Sequence, residues 1–206
     1  MVERQLRLRG IHDKVLLDAF SLVPRELFLP LSLHEEAYGD YPLSIGQGQT
    51  ISQPFIVALM VQYLELTGIE RVLEVGTGSG YQSAILGMLS RWVYTIERVP
   101  LLAKQAQCTL LRAGLTNVDV VVGDGSLGLP KSAPYDRIIV SAAAPSVPPA
   151  LVEQLLDGGT LVIPVGSSHN QRLNVVRRHK SASSTYVAES CVFVPLIGSQ
   201  GWPERR

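Results

Sequence analysis

Apolar positions change their spacing along this chain. Val15, Leu16, Ala19, Phe20 and Val23 recur at helical spacing and Pro24 closes the run, which predicts an N-terminal helix. From Tyr38 to Pro54 the residues are largely Gly, Ser, Thr, Gln and Pro, the texture of a loop. Helical spacing returns after Pro54, with Ile56, Leu59, Met60 and Tyr63 expected on the buried side. Beyond that point short, nearly all-apolar runs alternate with helical ones. Strands are expected over Arg71 to Val75, Trp92 to Ile96, Val118 to Val122, Tyr135 to Ser141 and Thr160 to Val165. Helices are expected over Tyr81 to Leu89, Leu101 to Ala113 and Pro149 to Leu156. Gly114 ends the second of these, and Gly158 and Gly159 end the third. Strands apolar on both faces, separated by helices, imply a mostly parallel sheet covered on each side, a doubly wound α/β fold. Leu173 to Arg178 and Tyr186 to Pro195 read as a closing antiparallel pair. At 206 residues the chain suits one domain, divided into N-terminal helices with a loop (1–66), a core (67–166) and C-terminal strands (167–206).

The first expected strand runs through Leu73, Glu74 and Val75 into Gly76, Thr77, Gly78, Ser79 and Gly80, and a helix follows. Glycine serves where backbone turns sharply and a ligand must approach with no Cβ between them. In parallel sheets such turns lie at the carboxyl ends of strands, where nucleotide-like ligands bind. A dinucleotide fingerprint would place a third glycine at position 81; the chain has Tyr81, and the resulting GxGxG resembles the turn of methyltransferases that bind S-adenosylmethionine, a donor with no pyrophosphate to cradle. Glu97 closes the second strand, where a carboxylate can accept hydrogen bonds from both ribose hydroxyls. Gly123, Asp124 and Gly125 follow the third strand and can set a carboxylate and a backbone amide near an adenine edge.

Charge and cysteine content narrow the field. Eighteen basic residues balance eighteen acidic ones, against a protein whose main task is gripping phosphate backbones. One basic run, Arg177 to Lys180, reads as a solvated turn between strands. Cys108 and Cys191 form neither a disulfide framework nor a metal pair and are expected to be buried thiols. No metal site is expected. No run approaches the ~18 apolar residues of a membrane span, and Met1 to Arg9 is too charged for a signal peptide, so a cytoplasmic location is expected. His12, His34, His169 and His179 are read as structural or solvated.

Beyond the glycine turn, three further stretches carry a resemblance. They are Ile45-Gly46-Gln47-Gly48-Gln49-Thr50-Ile51-Ser52-Gln53-Pro54, the run from Pro134 to Pro145, and Asp157-Gly158-Gly159 leading to Gly166. With Phe193-Val194-Pro195-Leu196 they make the chain, from Met1 to about Trp202, resemble the protein-L-isoaspartate O-methyltransferases. Two departures stand out: Ser44 where relatives often have proline, and Ile197 where some have threonine.

The resemblance implies a Rossmann-like methyltransferase fold. It also implies methyl transfer from S-adenosylmethionine, leaving S-adenosylhomocysteine, to the free carboxyl of L-isoaspartyl and also D-aspartyl residues in damaged proteins and peptides. Ser52 would be the active-site serine. The cofactor would contact Gly76, Thr77, Gly78, Ser79, Gly80, Glu97, Asp124, Gly125, Thr50 and Ile51; the substrate would contact Gln53, Val194, Pro195 and Leu196. A monomer acting on damaged polypeptides, with neither nucleic acid nor membrane as partner, completes this expectation.

The chemistry agrees with the residues present. A carboxyl with a pKa near ~4 is already ionised at neutral pH, so no general base is required. Without the resemblance, Ser52 could simply cap the helix after Pro54. Rival readings fare worse: amino methylation of bases calls for an Asn/Asp-Pro-Pro-aromatic motif, whereas the fourth strand ends Ser141-Ala142-Ala143-Ala144-Pro145. A nicotinamide-dependent oxidoreductase conflicts with Tyr81.

Overall fold

The computed structural model describes residues 1–167, 169–180 and 182–204. Short helical turns at Val2–Leu6 and Arg7–Arg9 lead to α1 (Lys14–Leu22), whose first turn is capped by the Asp13 carboxylate accepting from the Val15 and Leu16 amides. Two 3-10 segments follow, Arg25–Phe28 and Leu31–Glu36. The stretch expected to be a loop folds partly into a hairpin of β1 (Leu43–Gly46) and β2 (Gln49–Ile51), with a bulge between Ser44 and Gly46. Its tip turns through positive φ at Gly46, Gln47 and Gly48, a shape that two glycines make accessible.

α2 (Pro54–Leu64) buries Val57, Ala58, Leu59, Met60, Val61 and Leu64. Ile56 and Tyr63, also expected there, pack against the same core but are only half-buried, and the Tyr63 hydroxyl donates to Glu189 at 3.0 Å. The core then alternates as expected: β3 (Arg71–Val75), α3 (Tyr81–Leu89), β4 (Trp92–Glu97), α4 (Pro100–Arg112), β5 (Val118–Val122) and β6 (Tyr135–Val140). Gly114 has φ +78°, suited to ending α4. The helix expected to reach Leu156 stops sooner, as α5 (Pro149–Glu153), and β7 runs through both glycines from Leu155 to Gly166. Parallel pairing with β6 draws Leu155 into the sheet and shifts register between Tyr135 and Arg137. The closing pair is β8 (Gln171–His179) and β9 (Ala182–Cys191), so the last strand begins and ends earlier than expected.

The seven strands lie in the order β5-β4-β3-β6-β7-β8-β9, with parallel pairing from β5 to β7 and antiparallel pairing beyond. Successive residues feed opposite faces: Val72, Ile139 and Val162 join the core beneath α1, α2 and α3, whereas Leu73, Ile138 and Leu161 join the core on the other side with Leu151 of α5. The chain runs outward from β3 through β4 to β5, then returns to lay β6 on the other side of β3. That reversal opens a crevice at the carboxyl ends of β3 and β6.

Two smaller expectations need correction. Cys108 is exposed, because α4 buries Leu102, Ala103, Ala106 and Leu110 instead; Cys191 is half-buried, and burial pushes its thiol up to about 11. In the basic run only Lys180 occupies the turn. Arg177 pairs with Glu65 at 2.7 Å, and Arg178 donates to the Glu153 carbonyl at 2.7 Å, closing the end of α5. No described helix is long and apolar enough to cross a membrane.

Candidate active site

A cavity of about 300 Å³ opens at the crevice. Its floor comes from four strand ends: Val75 at the end of β3 and Gly76 after it, Ile96 and Glu97 of β4, Gly125 after β5, and Ser141 and Ala142 after β6. The hairpin covers one side with Gly48 to Ser52, and the C-terminal segment walls another with Val194 to Ile197.

The glycine turn is pinned from below. Gly76 N–H donates to the Ile96 carbonyl at 2.9 Å, and Gly78 N–H donates to Glu97 Oε2 at 2.9 Å. Val99 N–H donates to Glu97 Oε1 at 2.9 Å, so both oxygens of this 7 % exposed carboxylate are oriented while lining the cavity. Gly76 and Gly78 have φ of +93° and +54°, where a Cβ is disfavoured. A Cβ on Gly78 would stand 3.4 Å from Ile45 Cδ1, so the hairpin rests directly on the turn. Gly125 is as constrained: a Cβ there would come within 2.5 Å of Val75 Cγ1.

Beneath the turn lies a buried polar network that motif reading did not single out. Glu74 is fully buried and accepts from Gln82 Nε2 at 2.9 Å, Thr95 Oγ1 at 2.6 Å and the Ser83 hydroxyl. Burial pushes its carboxyl up to about 7, although the hydrogen bonds from Ser83, Thr95 and Gln82 pull the other way. Gln82 Nε2 also donates to Ser141 Oγ at 2.8 Å, and the Thr77 and Thr95 hydroxyls lie 2.6 Å apart. The network thus ties the turn to β4 and to the end of β6.

The C-terminal wall is joined just past the end of β6 by an isolated parallel bridge between Ala143 and Pro195. Ala143 N–H donates to the Val194 carbonyl at 2.8 Å, and Leu196 N–H donates to the Ala143 carbonyl at 2.8 Å. Arg98, also at the cavity, meets Glu204 at 2.8 Å.

Of the residues expected at the site, Ser52, Thr50, Ile51, Gly76, Thr77, Gly78, Ser79, Glu97, Gly125, Val194, Pro195 and Leu196 all line this cavity. Three expected there stand elsewhere. Gly80, φ +89°, packs against α4, where a Cβ would meet Ala106 at 3.3 Å. Gln53 takes the N-cap position of α2, so Ser52 does not, and its side-chain amide donates to the Asp40 carbonyl at 2.9 Å. Asp124 clasps the C-terminal segment: its Oδ1 accepts from Ser126 N and Oγ, and its Oδ2 accepts from Ser199 N at 2.7 Å. Burial would raise its carboxyl, but these hydrogen bonds prevail and hold it below the ordinary aspartate value.

The cavity also takes in Tyr81, Gln82, Val99, Ser141, Ala142 and Ile197. Ser141 and Ala142 follow a parallel strand beside the switch in strand order, a position that itself signals a ligand site; Tyr81 stands out in the sequence only where a glycine is missing. Among the described residues no group of three or more His, Cys, Asp or Glu side chains is placed to hold a metal ion. The oriented Glu97 carboxylate and the Cβ-free turn fit a ribose-bearing ligand.

Comparison with known proteins agrees in direction. The family model described as protein-L-isoaspartate(D-aspartate) O-methyltransferase matches residues 1–201. A protein-L-isoaspartate O-methyltransferase of Trichlorobacter lovleyi is 54% identical over 205 residues, covering 98% of this chain and 94% of the relative. One of Koribacter versatilis is 50% identical over 206 residues, covering 100% and 93%. A solved protein-L-isoaspartate O-methyltransferase superposes with a TM-score of 0.87 at 30% identity, over 98% of this chain and 67% of the other. A Plasmodium falciparum relative of the same description, in complex with S-adenosyl-L-homocysteine, superposes with a TM-score of 0.82 at 25% identity, over 95% and 96%.

Proposed function

The chain belongs to the protein-L-isoaspartate(D-aspartate) O-methyltransferase family, and from that premise we propose how its own residues carry out the methylation of damaged polypeptides. The reaction moves a methyl group from S-adenosylmethionine to the free carboxyl of an L-isoaspartyl residue. One observation carries the assignment of roles: the glycine turn, the Glu97 carboxylate and the Ser52 hairpin share a single cavity.

Glu97 would accept the ribose hydroxyls, held ready by Gly78 and Val99. Thr77, Gly78 and Ser79 would follow the donor's amino-acid portion, and Thr50 and Ile51 would cover it. Bound S-adenosylmethionine supplies a methyl carbon activated by a sulfonium. Ser52 would orient the acceptor carboxylate with its hydroxyl, while Val194, Pro195 and Leu196 would align the substrate backbone along the bridged C-terminal segment. The acceptor is already an anion, so these residues move no proton; they align it and exclude water. Alignment alone can contribute about 7–11 kcal/mol to the acceleration. Opposite charges neutralise each other as the methyl moves, which a drier site favours. The hairpin would act as a lid flexing at Gly46 and Gly48.

Activity on D-aspartyl residues, a single-domain monomer and a cytoplasmic location complete this reading. The exposed, unpaired Cys108 suits a reducing compartment.

Labelled methyl transfer to an isoaspartyl peptide, with its aspartyl twin as control, tests the whole. Only the isoaspartyl peptide should be labelled; equal labelling of both would end the proposal. Ser52→Ala should lower kcat by about tenfold to a hundredfold, the worth of a hydrogen bond to a charged group, with S-adenosylhomocysteine affinity nearly unchanged. Normal turnover in that variant would remove Ser52 from its role.

A further inference from the structure

No cation is evident beside the acceptor site from the residues around Ser52 in the chain. The fold brings one there. Arg25, on the 3-10 segment Arg25–Phe28, is 0 % exposed. Its Nη2 donates to the Ser52 carbonyl at 2.9 Å and its Nε donates to the Ala37 carbonyl at 2.8 Å. The guanidinium carbon lies 4.8 Å from the ring centroid of Tyr81, which lines the cavity. Arg25 Nη1 and the Tyr81 hydroxyl are both buried without a hydrogen-bond partner among the described residues. None of the ion pairs among those residues involves Arg25; the nearby Asp40, which offsets part of its charge, is paired to Arg9 through Oδ2 at 2.7 Å and keeps Oδ1 buried without a partner among the described residues.

Two carbonyls could be held by neutral donors. A buried, unpaired charge is costly, and arginine keeps its proton at neutral pH even though burial lowers its pKa here. We propose that Arg25 is the positioning residue for the acceptor carboxylate. It fixes the Ser52 peptide group, and its charge, which no ion pair among the described residues neutralises, makes the Ser52 side of the cavity attractive to an anion. It acts through Ser52 and through its field rather than by touching substrate; this rests on the reading of Ser52 given above.

The charge has a directional consequence. The acceptor oxygen forms its bond to the methyl carbon as the carbon–sulfur bond breaks and leaves its electron pair on sulfur, so an anion enters and a neutral ester remains. The attraction therefore serves capture and vanishes for release. The same field should disfavour the cationic donor relative to its demethylated product.

Arg25→Gln, and Arg25→Met should the first not fold, remove the charge; Arg25→Lys keeps it. In the neutral variants KM for an isoaspartyl peptide should rise about tenfold, the scale of a charge interaction across a partly screened site, with a smaller change in kcat. Calorimetry should show the affinity ratio of S-adenosylmethionine to S-adenosylhomocysteine moving severalfold toward the former. Arg25→Lys should keep the wild-type ratio and recover part of the KM. A neutral variant with KM within twofold of wild type overturns the proposal, as does a raised KM with an unmoved ratio, the mark of a purely structural clamp. Failure of the wild-type protein to methylate the isoaspartyl peptide would instead sink the parent reading.

Discussion

Glu97 and Glu74 show how position decides the work of a side chain. Both carboxylates lie beside the glycine turn in the fold, yet Glu97 lines the cavity while Glu74 points beneath the turn into a cage of Ser83, Thr95 and Gln82. Place along the strands separates them: Glu74 pairs with Thr95 inside the sheet, whereas Glu97 closes β4 beyond the last residue that pairs with β3. At Glu97 the prediction concerns binding. Glu97→Gln keeps the shape but not the charge and should weaken S-adenosylhomocysteine affinity by about tenfold to a hundredfold, the range for a hydrogen bond to a charged group. Unchanged affinity by calorimetry would remove Glu97 from the ribose site. Motif reading reached Glu97 because a strand-end acid after a glycine turn has a specific chemical purpose. It missed Arg25, which looks like any arginine after a proline until the chain folds back and sets it under Ser52.

At the scale of elements, the hairpin and the C-terminal segment close the cavity that the sheet opens. The hairpin was expected to be a loop because its pattern is polar and glycine-rich. It pairs nevertheless, with Leu43 opposite Ile51, both buried, and Ile45 resting over Gly78. Only two short strands hold it, so local opening should be easy. Amide hydrogen exchange at Gly46 to Thr50 should be fast in the free protein. It should slow severalfold when S-adenosylhomocysteine and an isoaspartyl peptide are both present. Equal rates in the two states would argue against a lid. The C-terminal segment is held differently, by Asp124 on Ser199, Ser126 on Gln200 and Trp202 on Ala143. These contacts explain why an aspartate expected to meet cofactor is occupied at the far wall.

Over the whole molecule, Glu74 couples stability to pH. Its folded pKa of about 7 lies above the ordinary 4.5, so the folded protein binds the extra proton between those values. Stability from this group is full below about pH 4.5 and is lost as pH rises through 7, by up to about 3 kcal/mol. Glu74→Gln mimics the protonated acid and should flatten that dependence, so that thermal melts of variant and wild type diverge between pH 5 and 8. Parallel melting curves across that range would show that Glu74 does not titrate there.

Patterning along the chain determined the alternation of strands and helices from Arg71 onward, because an apolar run bounded by turns leaves a segment few choices. It also marked the cofactor turn, since glycine spacing reflects a local backbone requirement. Where segments compete or meet, local pattern has no hold. Leu155 joined β7 rather than α5 because β6 offered it a parallel partner. Gly80 and Asp124 turned to α4 and to Ser199, and Arg25 came under Ser52, for the same reason. Those outcomes depend on which surfaces become neighbours after the chain closes, and only the tertiary structure decides that.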